Sequence, residues 1–363
     1  MKIVDFRTQA LSIPIPNPPV GPAHTGRMEA VSPVLVRLRT DDGIEGFGYA
    51  WSFNSTKVRS IKAALDDLRD TVIGEDPFAS AHLWQKLWTD TTHMGHRGLA
   101  MYAIAAIDIA VWDIVGKAVG KPLYQILGGY RDTAPVYASH SLFRSWTMDE
   151  LQKDATALVA QGYRAMKTRV GDKPEDVEVA RMKAIREAVG KDIAVMVDVN
   201  WAWTVHQAIH TGRRLEEINL FWLEDPLQSD DPEGTAQVAA ALDMPVCAGE
   251  TYPTKADFRR LFEQRSVDIL MIDAARVGGV TEFMRIAAMA QGYNLSVASH
   301  LMPEISVHLI AALPNGLTVE HMPWWDEMYV DPIRVENGQV KLSSKPGLGL
   351  ELNERALEKY KLA

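Results

Sequence analysis

One cysteine, Cys247, stands in a chain of 363 residues. An internal disulfide is therefore excluded, and the fold must be held by its packed core. The chain also lacks a basic tract. Its 38 Lys and Arg face 47 Asp and Glu, for a net charge of −9, which argues against a nucleic-acid partner. No continuous apolar run reaches the ~18 to 20 residues that a membrane span needs. The opening MKIVDFRTQALSIPIP has no long apolar stretch followed by a cleavage-type pattern. A cytoplasmic location without a membrane partner is the expectation. Hydrophobic residues are plentiful, at 47%, enough for a large core. A chain of this length fits a barrel with an accessory domain.

What is present is a beat. VMVD at 195–198, FWLE at 221–224 and VCAGE at 246–250 each end an apolar run in one acid. ILMID ending at Asp273, LSVASH ending at His300 and LTVE ending at Glu320 continue it. The first three acids are about 26 residues apart, the length that a strand, loop and crossover helix take in a parallel β/α unit. Successive strands that each deliver a polar residue at the carboxyl end build the active site of a (β/α) barrel. APVYASH at 134–140 and RAMKTRV at 164–170 read as the two preceding strands, which makes eight.

The organisation expected is an α/β modified TIM barrel, (β/α)7β, with an α+β capping domain. Residues 1–125 read as the cap. Two alternating stretches flank Asp41-Asp42-Gly43, a hairpin signal, and helical periods follow, ending in the Ala-rich LAMYAIAAIDIAVWDIVGKAVG. Residues 126–325 read as the barrel. After Glu320 the beat is lost, and 326–363 is expected to run back and complete the cap.

Asp198, Glu224 and Glu250, at equivalent positions on consecutive strands, can converge. Converging carboxylates repel unless a cation lies among them, and three hard oxygen ligands suit Mg²⁺, with Mn²⁺ as an option. Asn200, two residues past Asp198, shares its face and is a candidate to orient a ligand or touch substrate. Lys167 and Arg169, two apart on one strand, point together into the mouth. Asp273 and His300 end adjacent strands, so the carboxylate can fix one imidazole nitrogen and leave the other as a base. Glu320, if protonated, could donate a hydrogen bond to an oxyanion. Cys247 reads as core filler.

With these residues in place, YASHSL, GYRAMKTRVG, MVDVNW, WLEDP, Gly249-Glu250, DAARVGGVTEFMRIAAMA, SHLMPEIS and TVEHM together resemble the enolase superfamily, within it the mandelate racemase group. The resemblance spans nearly the whole barrel. It implies Asp198, Glu224 and Glu250 as metal ligands, Asp273 and His300 as the dyad and Glu320 as the electrophilic acid. Ser139 and Lys167 are implied near the substrate carboxylate. Homo-oligomers are common in such a family. The implied chemistry is removal of the proton α to a carboxylate through an enediolate.

One position departs from the racemase pattern. The racemase carries a second lysine where this chain has Arg169, and a guanidinium is essentially never neutral. That favours one-base dehydration of an acid sugar to a 2-keto-3-deoxy acid. Racemisation, epimerisation or cycloisomerisation of an α-substituted carboxylate is the alternative, and a barrel that only binds its ligand is a third. In the capping loop, His24, Thr25 and Arg27 offer polar reach to a small-molecule carboxylate. Trp51, Phe53, Trp201, Trp203, Trp324 and Trp325 offer aromatic walls.

Overall fold

A computed structural model describes residues 1–21 and 26–362. The chain starts with an antiparallel sheet of β1 (Ile3–Ala10), β2 (Ile13–Pro14), β3 (Ala30–Thr40) and β4 (Glu45–Phe53). β3 is central, bonded to β1 and β2 along one edge and to β4 along the other. The β3–β4 turn falls on Asp41-Asp42-Gly43, where Gly43 has φ 84°, a conformation that glycine enters without steric cost.

The helix Leu99–Ala118 packs on this sheet. It is long and apolar enough to cross a membrane, against the expectation that no segment would qualify, yet 83% of its apolar window is buried within the fold. Two buried aspartates interrupt the run and serve as fasteners. Asp108 accepts from Thr281 N at 2.8 Å, across to the barrel. Asp113 accepts from Phe47 N at 3.1 Å and Leu348 N at 2.9 Å, tying sheet, helix and tail together. The helix lies so close to β4 that a Cβ on Gly48 would stand 2.1 Å from Ala106 O.

The barrel strands are β5 (Thr133–Ala138), β6 (Ala165–Arg169), β7 (Ala194–Asp198), β8 (Leu223–Glu224), β9 (Val246–Ala248), β10 (Ile269–Asp273), β11 (Ser296–His300) and β12 (Gly316–His321). All run parallel, and β12 pairs with β5 to close the cylinder. Helices follow the first seven strands, but β12 leads only into the 3₁₀ turn Pro323–Met328. The architecture is (β/α)7β.

Side chains alternate along each strand, so one set fills the cylinder. Tyr137, Met196, Trp222, Cys247, Met271 and Ala298 form its apolar plug. Two residues further along β7, β8, β10 and β11 lie Asp198, Glu224, Asp273 and His300. The register levels them: Arg169 is opposite Asp198, Asp198 opposite Glu224, and Asp273 opposite His300. β9 ends at Ala248, so Glu250 sits beyond its strand. Gly249 has φ 133°, and a Cβ there would meet Met271 O at 2.5 Å.

The tail hairpin β13 (Val335–Glu336) and β14 (Gln339–Lys341) adds antiparallel to β5. The last residues reach the first sheet, where Leu362 N donates to Ala10 O at 2.9 Å and Ser12 N to Tyr360 O at 2.8 Å.

The Gly48 contact yields a stability prediction. Gly48→Ala should destabilise the protein by about 1–3 kcal/mol, because an inserted methyl must push a helix backbone away. Thermal denaturation checks this; an unchanged Tm would contradict the close approach of β4 to the helix.

Candidate active site

The carboxyl ends of the barrel strands and the facing cap enclose a cavity of about 390 Å³. Asp198, Glu250, Glu320, Lys167, Arg169, Asn200 and His300 line its floor. Glu224, Asp273 and Ser139 lie behind that lining and are inaccessible to solvent.

The parallel register sets the dyad. His300 Nδ1 stands 2.6 Å from Asp273 Oδ2. The other carboxylate oxygen accepts from Ala275 N at 2.7 Å and Arg276 N at 3.0 Å, so the backbone after β10 fixes Asp273. Nδ1 therefore carries the hydrogen, and Nε2 is the free nitrogen. Nε2 lies 3.3 Å from Glu250 Oε2 and 3.9 Å from Glu320 Oε2. Burial alone would lower the imidazole, but Glu250, the Asp273 hydrogen bond and Glu320 outweigh it and push it up to about 9.

Lys167 is buried among three acids. Its Nζ bonds Glu224 and lies 2.9 Å from Glu320 and 3.5 Å from Asp198. Burial opposes the charged form, yet these acids hold it well above the ordinary lysine range. Arg169 is committed differently. Its NH1 donates to Ser139 O at 2.6 Å and Ser141 O at 3.0 Å, and its NH2 to Ser139 Oγ at 2.7 Å.

Among the described residues, no three His, Cys, Asp or Glu side chains stand as a ready coordination shell. The acids turn instead to the donors at hand. Asp198 accepts from Asn200 N and Nδ2, both at 2.8 Å. Glu224 accepts from Lys167 and from Trp222 Nε1 at 2.9 Å. The group still suits a cation. Burial, with Asp198, Glu320 and Glu250 working against Lys167, pushes Glu224 up to about 8. Neighbouring Asp225 is raised well above the carboxylate range, by burial first and then by Glu250, Asp198 and Glu224. Its buried Oδ2 has no hydrogen-bond partner. Crowded, desolvated carboxylates of this kind are relieved by a hard dication.

Three expectations need correction. Glu320 is not a protonated donor in this arrangement. Burial would raise it, but Lys167 and His300 hold it down at about 2. It accepts from Ser139 Oγ at 2.6 Å and Leu301 N at 2.9 Å. Ser139 does not reach the cavity, because it bridges Arg169 and Glu320. Arg27 is exposed and outside the lining. It pairs with Val20 in an isolated bridge, and alternation then turns its neighbour Met28 inward. His24 and Thr25 lie outside the described residues.

The walls are largely apolar. Trp51, Phe53, Trp201 and Trp324 line them, whereas Trp203 and Trp325 do not. Trp325 is instead buried beneath, edge-on to Trp51 at 5.9 Å. Among the lining residues that escaped the sequence reading are Tyr102, Arg144 and Arg276. Arg276 had a signal, being three residues past Asp273, and its Nε lies 3.6 Å from Asp273 Oδ2.

Comparison with known proteins agrees with this architecture. Residues 8–128 match the mandelate racemase/muconate lactonizing enzyme N-terminal domain. Residues 150–356 match the enolase C-terminal domain-like family. The chain is 33% identical to the L-talarate/galactarate dehydratase of Salmonella typhimurium, over 92% of this chain and 84% of that protein. It is 32% identical to the 3,6-anhydro-alpha-L-galactonate cycloisomerase of Streptomyces coelicolor, over 96% of each. Among solved structures, a racemase from Streptomyces coelicolor with bound magnesium superposes with a TM-score of 0.95 at 31% identity, covering 99% of this chain and 100% of that one. The Salmonella dehydratase liganded with Mg and L-lyxarohydroxamate also gives 0.95, at 31% identity, covering 100% of this chain and 93% of that one. With both of its parts matched and a barrel that carries acids, lysine and a His–Asp pair at one mouth, this chain belongs to the mandelate racemase/muconate lactonizing enzyme group of the enolase superfamily.

Proposed function

We propose that the protein is a Mg²⁺-dependent lyase that dehydrates an acid sugar, a hydroxylated carboxylate, to its 2-keto-3-deoxy product. The observation that carries this reading is the commitment of Arg169. Two of its nitrogens donate to Ser139 and Ser141 acceptors, so it is a clamp and not a base. Lys167 beside it is wrapped by acids. That leaves His300 Nε2, among the described residues, as the nitrogen placed to take a proton, and one base suits elimination better than exchange across two faces. The relatives named as dehydratases of talarate/galactarate, arabinonate and galactonate support the same reading. The cycloisomerase and racemase relatives make isomerisation the competing outcome.

Asp198, Glu224 and Glu250 would hold the Mg²⁺. When bound it supplies Lewis-acid charge to the substrate carboxylate, which lowers the cost of a second negative charge as the α-proton leaves. A cation held by Glu250 would engage the carboxylate that most raises His300, which would favour the neutral imidazole as base. His300 Nε2 then takes the proton from Cα, and the C–H electron pair enters the enediolate. Lys167 stands where that charge grows, as a preorganised cation. The pair next expels the hydroxide at Cβ, His300 returns its proton to make water, and the enol tautomerises to the keto acid. Asp273 steadies the imidazolium throughout. Glu320 holds Lys167 in place, anchored in turn by Ser139 and Leu301 N.

Incubation with Mg²⁺ and an acid-sugar panel, with semicarbazide detection of keto acid, tests the reaction class. Keto product without an epimer is expected. Solvent deuterium at Cα without loss of water would instead establish an isomerase. His300→Asn should lower kcat by about 10²–10⁴-fold, the usual worth of a general base, with Mg²⁺ affinity kept; retained turnover would move the base elsewhere. Arg169→Lys supplies a titratable amine on the opposite side and should introduce α-proton exchange on both faces. Unchanged stereochemistry would count against the one-base account.

A further inference from the structure

Five cations line the cavity: Lys57, Arg144, Lys167, Arg169 and Arg276. Four are accounted for. Lys167 lies among acids, Arg169 clamps Ser139 and Ser141, and Arg276 faces Asp273. Lys57 is solvent-exposed at the start of the helix Val58–Asp67.

Arg144 differs from all of them. It is only 8% exposed, yet no carboxylate of the described residues comes within ion-pair distance. Its NH2 makes both of its hydrogen bonds, to Val199 O at 3.0 Å and Asn200 Oδ1 at 2.9 Å. Nε is buried without a partner, and NH1 has no hydrogen bond. Its chain neighbour Phe143, with Met28, Trp51 and Phe53, belongs to the apolar part of the same lining. Burial pulls the guanidinium below its ordinary value, and the influences that favour its charge are Asp198, Asp172 and Glu178 at longer range. Asp198 is the residue that a bound Mg²⁺ would engage.

A buried charge without a counter-charge is costly, and the missing partner is an anion brought by the ligand. We infer that Arg144 is a specificity-determining residue that receives a second carboxylate of the substrate, so that the preferred acid sugar is a dicarboxylate of the aldarate class and not a monocarboxylic aldonate. A hydroxyl would satisfy a donor but leave the charge uncompensated. A carboxylate satisfies both, through NH1, a guanidinium nitrogen left without a hydrogen bond among the described residues. The second contact of Arg144 fixes its place: through Asn200 it is anchored beside Asp198, so the distal carboxylate is read from a position registered to the proposed metal ligand. The inference rests on the site reading proposed above.

Calorimetric titration of the Mg²⁺-loaded protein tests it with two probes that cannot turn over. Lyxarohydroxamate carries a hydroxamate at one end and a carboxylate at the other. Lyxonohydroxamate is the same chain with a terminal alcohol. The wild-type protein should bind the diacid probe about 10- to 100-fold more tightly, the range expected for charge-assisted hydrogen bonds. Arg144→Gln should remove that preference while leaving the monoacid probe and Mg²⁺ binding within about threefold. Arg144→Lys, which keeps the charge and loses the planar guanidinium, should restore part of it.

Equal binding of the two probes by the wild-type protein would overturn the inference while leaving the metal-site reading intact. So would a preference that survives Arg144→Gln. If Arg144→Gln weakens both probes and Mg²⁺ alike, Arg144 acts by positioning Asn200, and the inference falls. Binding of neither probe would overturn the site reading and the inference together.

Discussion

The structure depends on one unfavourable arrangement being made tolerable: several carboxylates buried together at the mouth of a barrel. Asp198, Glu224, Asp225, Glu250, Asp273 and Glu320 are all at most 4% exposed. Left alone they would drive one another's protonation or push the strands apart. Each is met differently. Asp273 is neutralised by backbone N–H groups and the imidazole, and Glu320 by Lys167, Ser139 and Leu301 N. Asp198 is met by Asn200 and Glu250 by His300. Glu224 and Asp225 stay frustrated, with raised proton affinity. A dication would offset the repulsion that raises them and hold them as carboxylates.

That frustration explains the rest of the architecture. The parallel register carries the polar side chains to one level, and the apolar plug of Tyr137, Met196, Trp222, Cys247 and Met271 packs the cylinder below them. The cap closes the top with Trp51 and Phe53, and Trp324 from the turn after β12 joins them. Its attachment is not casual, because Asp108 and Asp113 fasten it to barrel and tail by buried hydrogen bonds. Among side chains buried this far, a fixed charge acts strongly on a developing one. That is how lysine, histidine and glutamate in close contact can direct a proton.

Much of this was legible in the sequence because the period of a β/α unit is regular and the functional position within it is constant. Asp198, Glu224, Asp273, His300 and Glu320 fall at or within a residue of strand ends. Glu250 is later, since Gly249 bends the chain after a short β9. What pattern could not give was the environment of a side chain. Glu320 is held as a carboxylate by donors from three separate segments, and no local feature announces them. Ser139 sits on the expected strand but faces a clamp and not the cavity. Arg27 and Met28 exchange places because one isolated bridge sets which of them turns inward. Arg144 lies in the irregular loop after β5, where periodicity carries no information. The helix Leu99–Ala118 reads as a possible span by composition alone; only packing reveals it as core.

The central claim is that Asp198, Glu224 and Glu250 share one divalent ion. Anomalous diffraction from crystals grown with Mn²⁺ tests it most directly. The account predicts a single strong peak among those three carboxylates, with Lys167 drawn away from Glu224. A peak at another site, or none at saturating metal, would contradict it.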